Sequence, residues 1–299
     1  MTFHEDIESI REKIESSIKQ YGYAPEHNIN HFLFTSESRQ KPIFISWPDG
    51  TGLMAHKEEK EWYTFSEPVA PPNLRAKRVI EFTQFILDKP SIKKVVIESR
   101  VKTRKEILDT LPPTLKALSI NYTLNWPIMN MEKFDPQLPG SHFKSLRNAK
   151  NKFYRDYSVV MKEANEVSEK DLHEVVEIWI KNRTYLDMPH SQIFHNMING
   201  DFKGTQSARA MMVNGKSVGF NAGWPIPNSD QYYGAVGIFD YTLKDLGALL
   251  YLEDLEWIKN AGYKTADMGG VEKGGPLNFK NQFLPESWYK TFIFSIVKR

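Results

Sequence analysis

Two side chains near the C-terminus are suited to acyl transfer. Lys280 lies in the run NFKNQF, just after a glycine-rich turn that extends from Gly269-Gly270 to Gly274-Gly275. An ammonium beside a reacting carbonyl stabilises the negative charge that develops on oxygen, more so where water is excluded. Phe279 and Phe283, four apart, can anchor a short helical turn in the core, which leaves Lys280 pointing toward a cleft or toward solvent. Asp267 ends the short strand-like run YKTAD before Gly269-Gly270. A carboxylate there could position an amine or act as a base, or it could bond its own turn. Glycines let backbone approach a ligand closely, so Gly269, Gly270 and the nearby Asn278 are candidate cleft residues. Asn221, Trp224 and Tyr233, on strand-like runs upstream, could line the same cleft, although most aromatics on such strands are simply packed.

Other routes to acyl transfer are closed or illegible. The chain has no cysteine, which excludes thiol nucleophiles, disulfides and Cys-ligated metals. No Ser-His-Asp set or GxSxG elbow can be read. The eight histidines are scattered without metal spacing. His142, His190 and His195 read as surface or capping residues, and no metal is expected.

Two segments could bind an anion. SHFKSLRNAKNKFYR, Ser141 to Arg155, reads as a basic helix with Phe143, Leu146 and Phe153 on its apolar side. Helical spacing puts Lys144, Arg147 and Asn151 close to one line, where they could contact an extended polyanion. The alternative is a solvated face on a connecting helix. The second segment is LKDLGALL. Lys244 and Gly247 fit the first half of the pyrophosphate loop of CoA-dependent acetyltransferases, where helix amides bind phosphate. Leu249 fills the final small position of that pattern, and Asp245 would repel a pyrophosphate.

These residues need a scaffold, and the clearest part of it runs from Ala208 to Phe283. ARAMMVNGKSVGFNAGWPI folds back at Asn214-Gly215, a strong hairpin signal. QYYGAVGIFD reads as a third strand, KDLGALLYLEDLEWIKNAG as a helix closed by Gly262, then YKTAD and WYKTFIFSIV as strands. Ahead of these, Ser168 and Asp171 open a helix with Leu172, Val175, Val176 and Trp179 inward. The first half has the same order of elements. Ile7, Ile10, Ile14 and Ile18 mark an opening helix, and HFLFTS, KPIFISW and WYTFSEPV read as strands. Asn73 is a candidate cap for a helix that buries Val79, Phe82, Phe85 and Ile86. KKVVIES is a strand, Thr103 and Glu106 form a capping-box pattern, and LSINYTLNWPIMNM is a strand pair or one bent strand. Pro127 points to an edge or a bend. The expected architecture is α/β (α+β): two tandem folds of the GNAT acyltransferase type, each a mixed, mostly antiparallel sheet flanked by helices. Residues 1–130 form the first, and residues 131–299, including the connecting helix 141–155, form the second.

The run LPGSHFKSLRNAKNKF, the strand-helix-strand core and the closing ADMGG…NFKNQF resemble the phosphatidylglycerol lysyltransferase C-terminal domain family, which is related to the Fem-type peptidyltransferases. The resemblance covers nearly the whole chain, with the first half degenerate. It implies two tandem GNAT-type folds with the active cleft in or beside the second. It also implies transfer of an aminoacyl group from aminoacyl-tRNA to an amine or hydroxyl acceptor, with no bound cofactor. The lysine matching Lys280 is implicated in catalysis in Fem-type relatives. The chain lacks the transmembrane half of membrane-bound members, which puts a phospholipid acceptor in doubt.

Composition sets outer limits. The 299 residues suffice for one large or two ordinary domains, and the net charge of +2 confines any polyanion contact to a local patch. The charged N-terminus, MTFHEDIESIREKIESS, shows no signal peptide, and no apolar run is long enough to span a bilayer. A cytoplasmic protein is expected, with peripheral membrane contact left open. Three functions stay open: a tRNA-dependent aminoacyltransferase, favoured here, a CoA-dependent N-acyltransferase, and a non-catalytic module that binds anions through the basic helix.

Overall fold

The computed structural model describes residues 1–36, 40–182 and 191–299. In chain order the first half comprises β1 (Thr2–His4), α1 (Arg11–Tyr21), α2 (Ile29–Phe34), β2 (Lys41–Ser46), β3 (Gly52–Lys57), β4 (Glu61–Thr64), α3 (Pro72–Leu87), β5 (Lys94–Arg100), α4 (Val101–Thr110) and β6 (Leu115–Asn130). The second comprises α5 (Lys144–Asp156), β7 (Val159–Glu163), α6 (Glu169–Lys181), α7 (Gln192–Asn199), β8 (Ser207–Val213), β9 (Lys216–Pro225), β10 (Gln231–Phe239), α8 (Leu246–Asn260), β11 (Thr265–Asp267), α9 (Gly275–Asn281) and β12 (Ser287–Lys298). From β1 to β6 and from β7 to β12 the order of elements is the same.

The strands form one 12-stranded sheet in the order β1-β2-β3-β4-β5-β12-β6-β11-β10-β9-β8-β7. The centre of this order is an exchange. β12, the last strand of the second half, lies between β5 and β6, antiparallel to both. β6, the last strand of the first half, pairs in turn with β11. The parallel pairs β4·β5 and β10·β11 occupy equivalent places on either side. Each half therefore completes its core with a strand from the other. Phe294 and Ile296 of β12 sit among Ile43, Phe82, Val95 and Ile97, and Trp126 of β6 sits among Val176, Trp179, Phe220 and Trp224. The boundary expected near residue 130 coincides with the end of β6, but the halves it separates share a sheet.

Local signals hold where they are strong. Asn214 (φ 50°) and Gly215 (φ 83°) make the β8–β9 turn, and Gly262 (φ 87°) closes α8. Ser168 caps α6 by accepting from the Asp171 amide. Elsewhere the structure corrects the reading. HFLFTS is not a strand: its apolar residues belong to α2, which buries Ile29 and Phe32 and is capped by Asn28, whose side chain accepts from the Asn30 and His31 amides. Asn73 and Thr103 are not caps. Pro71 precedes α3, with Pro72 in its first turn, and α4 starts at Val101, directly after β5, leaving Thr103 buried inside it. Three strands, β1, β3 and β7, lie in segments with no clear alternation. Pro127 stands on a central strand rather than an edge. Its missing N–H falls just beyond the last β11 pair, Asp267 with Ile128, and its carbonyl accepts from Met268 at 3.3 Å.

If the exchange holds the halves together, a fragment of residues 1–130 lacks the strand that covers β5 and leaves its core open. It should be insoluble or unfolded. Phe294→Ala in the full chain should cost about 3–5 kcal/mol, as for other buried Phe truncations, measured by denaturant unfolding. A folded, soluble 1–130 fragment would contradict this account.

Candidate active site

β10 and β11 run side by side for only three residue pairs, Gln231–Tyr233 with Thr265–Asp267. β10 then carries a bulge between Gly234 and Val236, and the strands part. A cavity of about 630 Å³ fills the opening. Its second-half wall includes residues of β10 and α8, Asn221 of β9, Gly269, Gly270 and Lys280, and its first-half wall includes Glu26, His31, His56, Thr64 and Glu98. A Cβ at Gly237 would meet nothing within 4 Å, so the sheet is bare there and faces open cavity.

The candidate catalytic pair meets at the end of β11. The Lys280 ammonium donates to the Gly269 carbonyl at 2.7 Å and to that of Met268. Gly269 takes φ +83°, which favours glycine, and this bend turns both carbonyls toward Lys280. Asp267 is buried. It accepts from the Tyr289 hydroxyl at 2.6 Å and from the Gly269 amide at 3.1 Å. Burial lifts Asp267 to about 6, against the hydrogen bonds from Tyr289 and Gly269 and the attraction of Lys280. Burial likewise lowers Lys280 to about 8, opposed by the Asp267 carboxylate. Between those values the site holds one anion and one cation. Opposite charges in a low-dielectric site sustain each other, and losing one raises the cost of keeping the other.

β12 sets this arrangement. It brings Tyr289 to Asp267, and the Tyr289 ring stacks on Trp126 with centroids 5.5 Å apart. Trp126 donates to the Thr291 hydroxyl at 2.9 Å, which donates to Glu98 at 2.6 Å. Glu98 and Glu26 face the cavity from the first half. Burial and the Glu98 charge raise Glu26 to about 8, and burial also raises Glu98. His31 is held neutral by burial, lowered to about 3, with its ring 4.7 Å from that of Trp224.

Of the residues singled out in the sequence, Asn221, Tyr233, Gly247, Gly269, Gly270 and Lys280 line the cavity, and Asp267 stands behind Lys280. Trp224 does not line it. Trp224 is buried, and its indole N–H donates to the Pro25 carbonyl at 2.8 Å, joining the halves. Asn278 is exposed on α9, away from the cavity. Lys244 is exposed, and the α8 N-terminus is not an open phosphate seat. The Phe239 ring covers Gly247, where a Cβ would come within 2.3 Å of it. The Leu246 and Ala248 amides are bonded to Leu243 and Asp245 carbonyls.

The basic line on α5 lies apart from the cavity. The Arg147 guanidinium clamps the preceding loop through the Leu138 and Gly140 carbonyls. Lys150 pairs with Glu256 at 3.7 Å, and Lys152 and Arg155 both pair with Asp156. Lys144 and Asn151 are exposed. None of these residues borders the cavity. His142 is exposed, His195 pairs with Glu177 at 3.3 Å, and His190 lies outside the described residues.

The sequence reading missed Asp254, Tyr251, Glu26, Glu98 and Tyr289. Asp254 did leave a signal. It lies at i+7 from Gly247 and i+4 from Leu250, a carboxylate on the apolar side of α8.

Residues 23–270 match the family described as "Phosphatidylglycerol lysyltransferase, C-terminal". No curated protein sequence matches the chain. Among solved structures it is similar to L-PGS from Bacillus licheniformis, with TM-score 0.69 and 15% identity over 96% of this chain and 91% of that one. It is similar to FemX, with TM-score 0.63 and 12% identity over 98% and 97%. A tandem GNAT protein from the clavulanic acid biosynthesis pathway gives TM-score 0.58 and 9% identity over 99% and 98%. At these identities the likenesses establish the fold, which is GNAT-like: a mostly antiparallel mixed sheet flanked by helices. With the family match spanning most of its length, the chain belongs to the phosphatidylglycerol lysyltransferase C-terminal family.

Proposed function

We propose that this acyltransferase moves an aminoacyl group from aminoacyl-tRNA to an amine or hydroxyl acceptor, with Lys280 as the oxyanion partner. The observation that carries the reading is the half-buried Lys280 ammonium on the cavity wall, 2.7 Å from the Gly269 carbonyl and electrostatically supported by Asp267. An ammonium has three donors. Two are spent on the Met268 and Gly269 carbonyls, which leaves one for a substrate oxygen. The acceptor attacks the ester carbon, the bond to the ribose oxygen breaks, and the acceptor's proton ends on that departing oxygen. Lys280 stabilises the charge on the carbonyl oxygen along the way, and Asp267 keeps Lys280 charged.

An acyl-CoA donor is less well supported. Phe239 fills the space at Gly247, the Leu246 and Ala248 amides are already bonded, and Asp245 places a carboxylate at the helix N-terminus. The acceptor is an amine or hydroxyl compound that reaches the cavity. No helix among the described residues is long and apolar enough to cross a membrane.

Donor choice can be measured directly. Radiolabelled aminoacyl-tRNA should bind, while deacylated tRNA binds more weakly and acetyl-CoA not at all. Saturable acetyl-CoA binding with no response to charged tRNA would favour the CoA reading. Binding of charged and deacylated tRNA with equal affinity, with no turnover, would favour a non-catalytic anion-binding module.

Lys280→Met should fold normally and lose roughly a hundredfold or more in turnover, the usual effect of removing one oxyanion donor. The pH profile separates the roles open to this lysine. As a cation, Lys280 requires activity to fall as pH rises through about 8, while ionisation of Asp267 makes it rise through about 6. With a hydroxyl acceptor, which does not itself titrate in this range, activity that keeps climbing through pH 8 would identify Lys280 as a base instead.

A further inference from the structure

The cavity has a second polar group that the reaction above does not use. Asp254 and Tyr251 on α8 and Asn221 on β9 all line it. Asp254 is 4% exposed and Asn221 1%. The Asn221 amide donates to the Leu250 carbonyl at 3.4 Å, but its Oδ1 is buried without a partner, as is the Tyr251 hydroxyl. The Asp254 carboxylate has no hydrogen bond or ion pair among the described residues. Arg209 is the cation whose charge it feels, and that guanidinium donates to the Glu253 carbonyl at 2.7 Å. Three acceptor-capable oxygens short of donors thus lie in the wall of one cavity, those of Asn221 and Tyr251 almost fully occluded. Buried polar groups are normally satisfied, and an unpaired buried carboxylate is costly.

We propose that Asp254, with Asn221 and Tyr251, forms the seat for a primary ammonium group of the aminoacyl donor. A primary ammonium carries three N–H donors and a positive charge, which this acceptor-rich, donor-poor wall lacks. Its charge would also hold Asp254 in the ionised form, which burial otherwise disfavours. Burial, against the attraction of Arg209, lifts this carboxyl from 3.8 to about 7. The seat lies close to the catalytic pair. The position of a Cβ on Gly234 would be 3.0 Å from Asp254 Oδ2. On Gly269 it would be 3.4 Å from Lys280 Nζ and 3.9 Å from the Gly234 carbonyl oxygen. Gly234 is thus the common neighbour of the seat and the Lys280 end, and any side chain there would collide with Asp254 and Met268. The seat would discriminate between free and N-blocked aminoacyl groups, since an acylated nitrogen loses both its charge and two donors.

This inference rests on the aminoacyl-tRNA reading, and the test separates the two. The probe is puromycin, an aminoacyl-adenosine analogue with a free ammonium, compared with N-acetylpuromycin by isothermal titration calorimetry. The unaltered protein should bind puromycin roughly tenfold or more tightly, the usual scale for one charge-assisted contact. Asp254→Asn, nearly the same shape, should lose most of that preference while binding N-acetylpuromycin as before. Asp254→Glu, which keeps the charge, should retain part of it. Equal affinity of the two compounds for the unaltered protein would overturn the ammonium seat and leave the donor reading standing. Binding of neither compound would overturn both. The comparison on the unaltered protein decides the matter even if a variant does not fold.

Discussion

The place of β12 between β5 and β6 is the constraint on which the rest depends. It gives the first half's core Phe294 and Ile296. It also gives the second half's site Tyr289, hydrogen-bonded to Asp267 at 2.6 Å, and Thr291, which bridges Trp126 and Glu98. β6 makes the reciprocal contribution through Trp126, whose ring fits over Gly270. Neither half is complete without the other. The cavity lies where their contributions meet and where β10 and β11 part.

The site is built at a cost in stability. Asp267, Lys280, Asp254 and Glu26 are all shifted toward neutrality by burial. A core selected for stability alone would replace such groups by apolar ones. Shifted groups gathered in one cavity are the pattern of sites that bind charge or move protons. Here they divide into two regions: Lys280 with Asp267 at the end of β11, and the carboxylates of Asp254 on α8 and Glu26 in the first half. Family membership and the GNAT-like fold are consistent with both.

Local chemistry decided what could be read from the sequence. The Asn214-Gly215 turn, the Ser168 cap and the apolar side of α8 were legible because each depends on residues close in the chain. Lys280 and Asp267 could be paired because one glycine-rich turn separates them. The exchange of β6 and β12 left no local trace, since pairing partners nearly two hundred residues apart, such as Thr291 with Arg100, share no periodicity. For the same reason Glu26 and Glu98 went unnoticed: their role depends on the contact between halves. Trp224 reads as a cleft residue like Asn221, but it is packed against His31 and Tyr233 and tied to the Pro25 carbonyl, contacts between the halves that no local pattern shows. Asn221 reaches the Leu250 carbonyl on α8, whereas Trp224 packs toward Pro25 and Tyr233. α2 was misread as a strand because a short apolar run fits either period, and the Asn28 cap decided it.

The central claim is that Lys280 is a half-buried cation held by Asp267 at the cavity wall. Heteronuclear NMR titration of the lysine side-chain signals, with Lys280 assigned by its loss in the Lys280→Met protein, measures this directly. The account predicts a midpoint of about 8 for Lys280, moving lower when Asp267 is replaced by Asn, because burial then acts without the compensating carboxylate. A midpoint near 10.5, the ordinary lysine value, and unmoved by the Asp267 substitution would show a solvated lysine and contradict the account.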